Sequence, residues 1–203
     1  MDYKFLVKDR NSKSIMSILQ KTNYGVSEHS IRVAEIVYGI VLNMGYNDKT
    51  KFAYWFYLAG LGHDIGKSTW PPELHYKFPL TNDDWVVNHQ HPIISRAMIS
   101  DLCPDMPLFL LYAIEQHHEK PGGRGTPNRI QEMDWTAHVL AVADQFEAMT
   151  SVRPYRQDPY PPQLAIREIQ RWGAMPSVVA ALVKTVKTMP LTGEAEVGKA
   201  IGK

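Results

Sequence analysis

Seven side chains able to bind a cation punctuate otherwise apolar sequence: His29, His63 with Asp64, His91, His117 with His118, and Asp144. His29 lies four positions before Val33, so it shares the helical face that enters a core. His63 and Asp64 close the apolar run "LAGLGHDIGK", His91 precedes Pro92, His117 and His118 precede a glycine-rich loop, and Asp144 interrupts "VLAVADQFEAM". Singly, each is ordinary hydrogen-bonded structure. Together they place several imidazoles and two carboxylates in an apolar interior, where every unpaired group is strongly penalised. A divalent cation satisfies such a set jointly, which reads as a metal site. Imidazole mixed with carboxylate suits iron or manganese, whereas a structural zinc site recruits thiolates.

Rigid elements must hold these residues in place, and the periodicity is helical almost throughout. From Ser27, read as an N-cap, the stripe Val33, Ile36, Val37, Ile40, Val41 and Met44 recurs at three and four until Gly45 ends it. The pattern predicts further helices over 12–21, 49–61, 82–102, 107–116, 133–149, 162–171 and 177–188. No alternating strand pattern competes with them. The segments "TWPPE", "KFPLTND", "EKPGGRGTPN" and "QDPYPP" supply the turns. An all-α bundle follows: a segment over 1–26 packed on it, one domain over 27–189, and a small, polar, flexible tail over 190–203.

Composition bounds the function. A chain of 203 residues buries roughly 70% of its unfolded surface, enough for one solid core. With 22 basic and 21 acidic residues the net charge is +1, so no long nucleic acid is expected as a partner and anionic ligands must be met locally. The single cysteine, Cys103, forms no intrachain disulfide and fits a reducing cytoplasm. The longest apolar runs are too short to span a bilayer, so no membrane partner is expected.

The residues and their spacing resemble the HD-domain metal phosphohydrolases, specifically the HD-GYP branch that hydrolyses cyclic dinucleotides. "HDIGK", "LHYKFPLTNDDW" with "HQHP", "HHEKPGGRGTP" and "VADQFEAMTSVRPYR" look like consecutive family blocks across residues 27 to 156. The resemblance implies a helical bundle around two divalent metals, iron or manganese, with Asp64 bridging them. His29, His63 and Asp144 would complete one site; His91, His117 and His118 would complete the other. Two such ions neutralise phosphodiester oxygens and support in-line attack by water, so no protein nucleophile is required. Lys67, Arg153 and Arg156 fall at positions implied to touch phosphate, with Lys67 beside the catalytic Asp64. Glu119 and Glu147 are implied to orient water or the ligands. His75, His89 and His138 fall outside the set.

Three departures bear on substrate contact. The loop tyrosine is Thr126, within Gly125-Thr126-Pro127; the aspartate before the loop glycine is Gly122; and a second aspartate near "DQFEAM" is Glu147. Some relatives add a third metal through a glutamate four positions before the first histidine. That position here is Gly25, so two metals are expected. Within 203 residues no receiver domain is expected beside the catalytic one, so any regulation is expected from a homodimer, a protein partner or chain outside this sequence. The implied reaction is hydrolysis of cyclic di-GMP or cyclic GMP-AMP to the linear dinucleotide or GMP. The alternatives are another HD phosphohydrolase acting on nucleotides and a non-catalytic cyclic dinucleotide receptor.

Overall fold

The computed structural model describes residues 9–22, 25–46, 51–152 and 158–188. Among them run eight α-helices and no strand: α1 Arg10–Leu19, α2 Val26–Asn43, α3 Phe52–Gly62, α4 Asn82–Leu102, α5 Leu108–Glu115, α6 Trp135–Thr150, α7 Pro162–Arg171 and α8 Pro176–Thr188. None of these helices is long and apolar enough to cross a membrane.

α2 is the spine. It packs on α3, α6 and α8, and its stripe of Val33, Ile36, Val37, Ile40 and Val41 is buried, as the periodicity requires. Its start differs from the expectation. Ser27 is not the N-cap: Gly25 is, at φ 77°, a conformation open to glycine, and its carbonyl accepts the His29 N–H at 3.0 Å. Ser27 lies inside the first turn and donates its hydroxyl to Glu28 at 2.9 Å. The helix ends at Asn43, and Gly45 follows at φ 94°.

α3 is apolar on all sides because from Phe56 onward it is covered on all sides, packed among α2, α5 and α1, while Phe52, Tyr54 and Trp55 are half-buried. It begins at Phe52; residues 49 and 50 of the expected helix lie outside the described ones. α1 is capped by Asp9, whose carboxylate accepts the Asn11 N–H at 2.8 Å and the Tyr54 hydroxyl at 2.7 Å. α6 starts at Trp135, two residues later than expected, because the Asp134 carboxylate accepts the Thr136 N–H at 2.9 Å. The expected tail over 190–203 lies outside the described residues.

Two short 3-10 turns, Ile65–Thr69 and Pro72–His75, link α3 to α4. The first docks directly on α4. A Cβ at Gly66 would lie 2.4 Å from the His91 carbonyl oxygen, and the Gly66 N–H instead donates to the Ser95 hydroxyl at 2.9 Å. This glycine lets the backbone carrying His63 and Asp64 approach the helix carrying His91.

Candidate metal centre

The first turn of α2 supplies His29, the end of α3 supplies His63 and Asp64, mid-α4 supplies His91, the end of α5 supplies His117 and His118, and mid-α6 supplies Asp144. Five elements from across the chain meet at one point. His63, Asp64, His91 and His117 are at most 2% exposed, and His29 and Asp144 are buried too.

Asp64 lies at the centre, and its two oxygens face different partners. Oδ2 is 3.4 Å from His29 Nε2 and 3.5 Å from His63 Nε2. Oδ1 is 3.1 Å from His91 Nε2 and 3.7 Å from His117 Nε2. Asp144 Oδ1 is 3.1 Å from His29 Nε2 and 3.7 Å from His63 Nε2, while its Oδ2 is 3.7 Å from His118 Nδ1. One nitrogen or oxygen from each of Asp64, His91, His117 and His118 lies within 4.8 Å of the others, and the same holds for His29, His63 and Asp64.

Backbone carbonyls set the tautomers. The Nδ1 atoms of His63, His91 and His117 lie 2.7, 2.5 and 2.7 Å from the carbonyls of Gly60, Asn88 and Ile114. A carbonyl only accepts, so each Nδ1 carries the hydrogen and each Nε2 presents a lone pair. Those lone pairs converge. His91 Nε2 and His117 Nε2 are 3.4 Å apart, both face Asp64 Oδ1, and neither that oxygen nor His63 Nε2 has a hydrogen-bond partner. Buried acceptors aimed at one another are what a cation resolves, and these donors suit a divalent ion that takes imidazole and carboxylate.

His29 is oriented differently. Its Nδ1 lies 2.5 Å from Glu147 Oε2, while Glu147 Oε1 accepts from Arg32 Nε at 2.6 Å and from the Ser151 hydroxyl at 2.7 Å. This carboxylate to histidine arrangement raises the basicity of the ring.

The protonation states follow from these contacts. Burial pushes His118 down to about 3 and outweighs the nearby Asp144 charge. His117 is held well below the ordinary histidine value by burial and by the neighbouring His118, His63 and His91. His91 is lowered too, chiefly by burial. Burial alone would raise Asp64, but Lys67 and His63 hold it well below the carboxylate range; His29 and His63 do the same for Asp144. His29 is the exception. Burial lowers it, yet its bonds to Asp144, Asp64 and Glu147 lift it to about 10. Without a metal the cluster therefore holds ionised carboxylates and a proton on His29, which an arriving cation displaces.

Lys67 reaches back from the 3-10 turn, its Nζ 2.5 Å from Asp64 Oδ2. Glu119 turns away from the cluster. It accepts the backbone N–H groups of Asn128, Arg129 and Ile130 at 2.5, 3.0 and 3.3 Å, so it holds the loop rather than water. Thr126 lies in that loop, and its N–H donates to the His118 carbonyl at 3.2 Å. Gly125 beneath it admits no side chain, since a Cβ would lie 2.2 Å from Glu119 Cα. Arg153 and Arg156 lie outside the described residues. Gly25 offers no side chain and Glu28 is exposed, so neither brings a carboxylate to the buried cluster. His138 stacks on Trp172 at 5.8 Å in the core.

A cleft of about 240 Å³ opens beside the cluster, lined by His117, His118, Glu119, Lys120, Ala141, Asp144, Gln145, Ala148 and Trp172. The sequence reading missed Lys120, Gln145 and Trp172, and also Arg32. For Gln145 and Arg32 a signal existed: one follows Asp144 directly, and the other lies one helical turn after His29 on the same face.

A model of the HD-domain family matches residues 13–175, and the chain belongs to that family. It is 33% identical over 132 residues to the 3'3'-cGAMP-specific phosphodiesterase 1 of Vibrio cholerae, covering 64% of this chain and 30% of that protein. It is 33% identical over 139 residues to the cyclic di-GMP phosphodiesterase PA4108 of Pseudomonas aeruginosa, covering 66% and 33%. A cyclic di-GMP phosphodiesterase of Thermotoga maritima is 35% identical over 132 residues, covering 62% and 35%. The chain thus spans about a third of the length of these curated relatives. Its fold is that of Bd1817, described as an HDG"Y"P protein from Bdellovibrio bacteriovorus, with a TM-score of 0.62 at 21% identity over 91% of this chain and 60% of that one.

Proposed function

We propose that this chain is a metal-dependent phosphodiesterase that hydrolyses a cyclic dinucleotide, cyclic di-GMP or 3'3'-cGAMP, to the linear dinucleotide or GMP. The observation that carries the reading is the buried convergence of unpartnered acceptors on Asp64, next to an open cleft. The names of the relatives supply the substrate class.

The residues fit two divalent ions, iron or manganese. Asp64 would serve both, with His29, His63 and Asp144 completing one set and His91, His117 and His118 the other. When bound, such a pair supplies Lewis-acid neutralisation of the phosphodiester and lowers the pKa of a water at neutral pH. The chain's own residues do the remainder. Glu147 holds the His29 ring by its Nδ1–H, and Lys67 balances the Asp64 charge where phosphate arrives. Arg153, Arg156 and the Thr126 loop complete the substrate contacts. The cleft of about 240 Å³ opens beside the cluster, where part of the substrate would be met. Ala141, Ala148 and Trp172 give it apolar walls, while Lys120 and Gln145 give it polar contacts.

The deciding experiment incubates manganese- or iron-loaded protein with cyclic di-GMP and 3'3'-cGAMP and separates the products by chromatography. Linear dinucleotide or GMP is expected. Binding of either substrate without turnover would make the chain a receptor and refute the enzyme reading.

A further inference from the structure

His91 differs from the other histidines that the carbonyls orient. His63 and His117 each bond a carbonyl in the last turn of a helix, Gly60 of α3 and Ile114 of α5. Carbonyls there lack an intrahelical donor because the helix stops. His91 lies in the middle of α4, where the carbonyl of Asn88 ordinarily accepts the N–H of residue 92. Residue 92 is proline, which has no N–H. The freed carbonyl is the atom that His91 Nδ1 meets at 2.5 Å.

We propose that Pro92 is a positioning residue for His91. By removing one backbone donor inside α4, it reproduces in mid-helix the free carbonyl that helix ends give His63 and His117. The ring is then held with Nδ1–H on Asn88 and Nε2 aimed at Asp64 Oδ1, 3.1 Å away. A residue with an N–H at position 92 draws the Asn88 carbonyl back along the helix axis and shares it between two donors. His91 then loses the fixed tautomer and orientation that ligation needs.

The inference rests on the two-ion reading of the site, and the test separates the two. Manganese is titrated into metal-free wild-type, Pro92→Ala and Pro92→Val proteins, following bound ions per chain and the affinity of each step. Both substitutions restore the N–H, but valine keeps most of the buried volume and alanine does not. Both variants are expected to bind one ion with unchanged affinity and the other about tenfold more weakly, the lower end of the ~10–100-fold typical of outer contacts to a ligand. The melting temperature of the metal-free proteins accompanies the titration, because a helix free of an internal proline has no intrinsic reason to lose stability. Wild-type affinity for both ions in both variants overturns the proposal. So does weakening in the alanine variant alone, which signals lost packing. A wild-type protein that binds no manganese overturns the two-ion reading and the proposal with it.

Discussion

Replacing Asp64 with asparagine keeps the shape of the side chain and removes the charge on which both sets of histidines converge. Asp64 is 1% exposed, and its Oδ1 and Oδ2 lie 3.1–3.7 Å from four imidazole nitrogens, two from each set, whereas Asp144 meets the second set only through His118, at 3.7 Å. A ligand at about 100 times its Kd stabilises the folded state by about 2.7 kcal/mol, and two ions each at that level by about 5.4 kcal/mol. For a domain of this size each kcal/mol moves Tm by roughly 2–4 °C, so saturating manganese raises the wild-type Tm by about 11–22 °C. Asp64→Asn is expected to abolish that rise and the bound ions together. His29→Ala removes a ligand from one set only, so about half the rise and one ion should remain. Thermal melts with and without manganese, paired with elemental analysis, read both quantities. An Asp64→Asn protein that keeps one ion and half the shift would refute a shared ligand. A wild-type protein with no manganese-dependent shift would refute the metal site altogether.

Lys67→Ala is expected to leave two ions bound while lowering kcat/KM by roughly 10- to 150-fold, the equivalent of a charge-assisted contact of about 1.5–3 kcal/mol; loss of metal would place Lys67 in the metal set instead. Gly125→Ala forces a Cβ to 2.2 Å from Glu119 Cα, and overpacking of about 1–3 kcal/mol should lower Tm by roughly 2–12 °C, whereas an unchanged Tm would show that the loop yields freely. Thr126→Tyr places a ring in the loop that bonds the His118 carbonyl, and KM for cyclic di-GMP relative to 3'3'-cGAMP is expected to change; identical values for both would show the position to be passive. In the metal-free protein the His29 pKa is raised from 6.5 to about 10, so its stabilising contribution is complete below pH 6.5 and is lost as pH rises toward 10. Tm measured in chelator from pH 6 to 10 should therefore fall more steeply for wild type than for His29→Gln, and equal slopes would contradict the Glu147 and carboxylate contacts.

Much of the molecule was legible in one dimension. The three-four periodicity of Val33 to Val41 determined a buried helical face, and the turn segments placed the breaks, because local hydrogen bonding and one-sided burial act within a few residues. The set His29, His63, Asp64, His91, His117, His118 and Asp144 was readable because ionisable groups in apolar surroundings are costly enough to be conspicuous. Helix starts were less legible. Ser27 has the side chain of an N-cap, but the left-handed backbone of Gly25 admits the chain into α2 two residues earlier, and a backbone dihedral leaves little trace in composition. Glu119 looked like a residue that orients water or groups around the ligands. Only the folding back of the loop, which brings the N–H groups of Asn128 to Ile130 onto its carboxylate, gave it another task. Tertiary structure alone decided which oxygen of Asp64 faces which histidine, that Arg32 reaches Glu147 from α2 across to α6, and that Lys120, Gln145 and Trp172 share a cleft. These are relations between residues as many as 115 positions apart, as for Arg32 and Glu147. They depend on how helices pack, and packing is a property of the assembled core that no single segment carries.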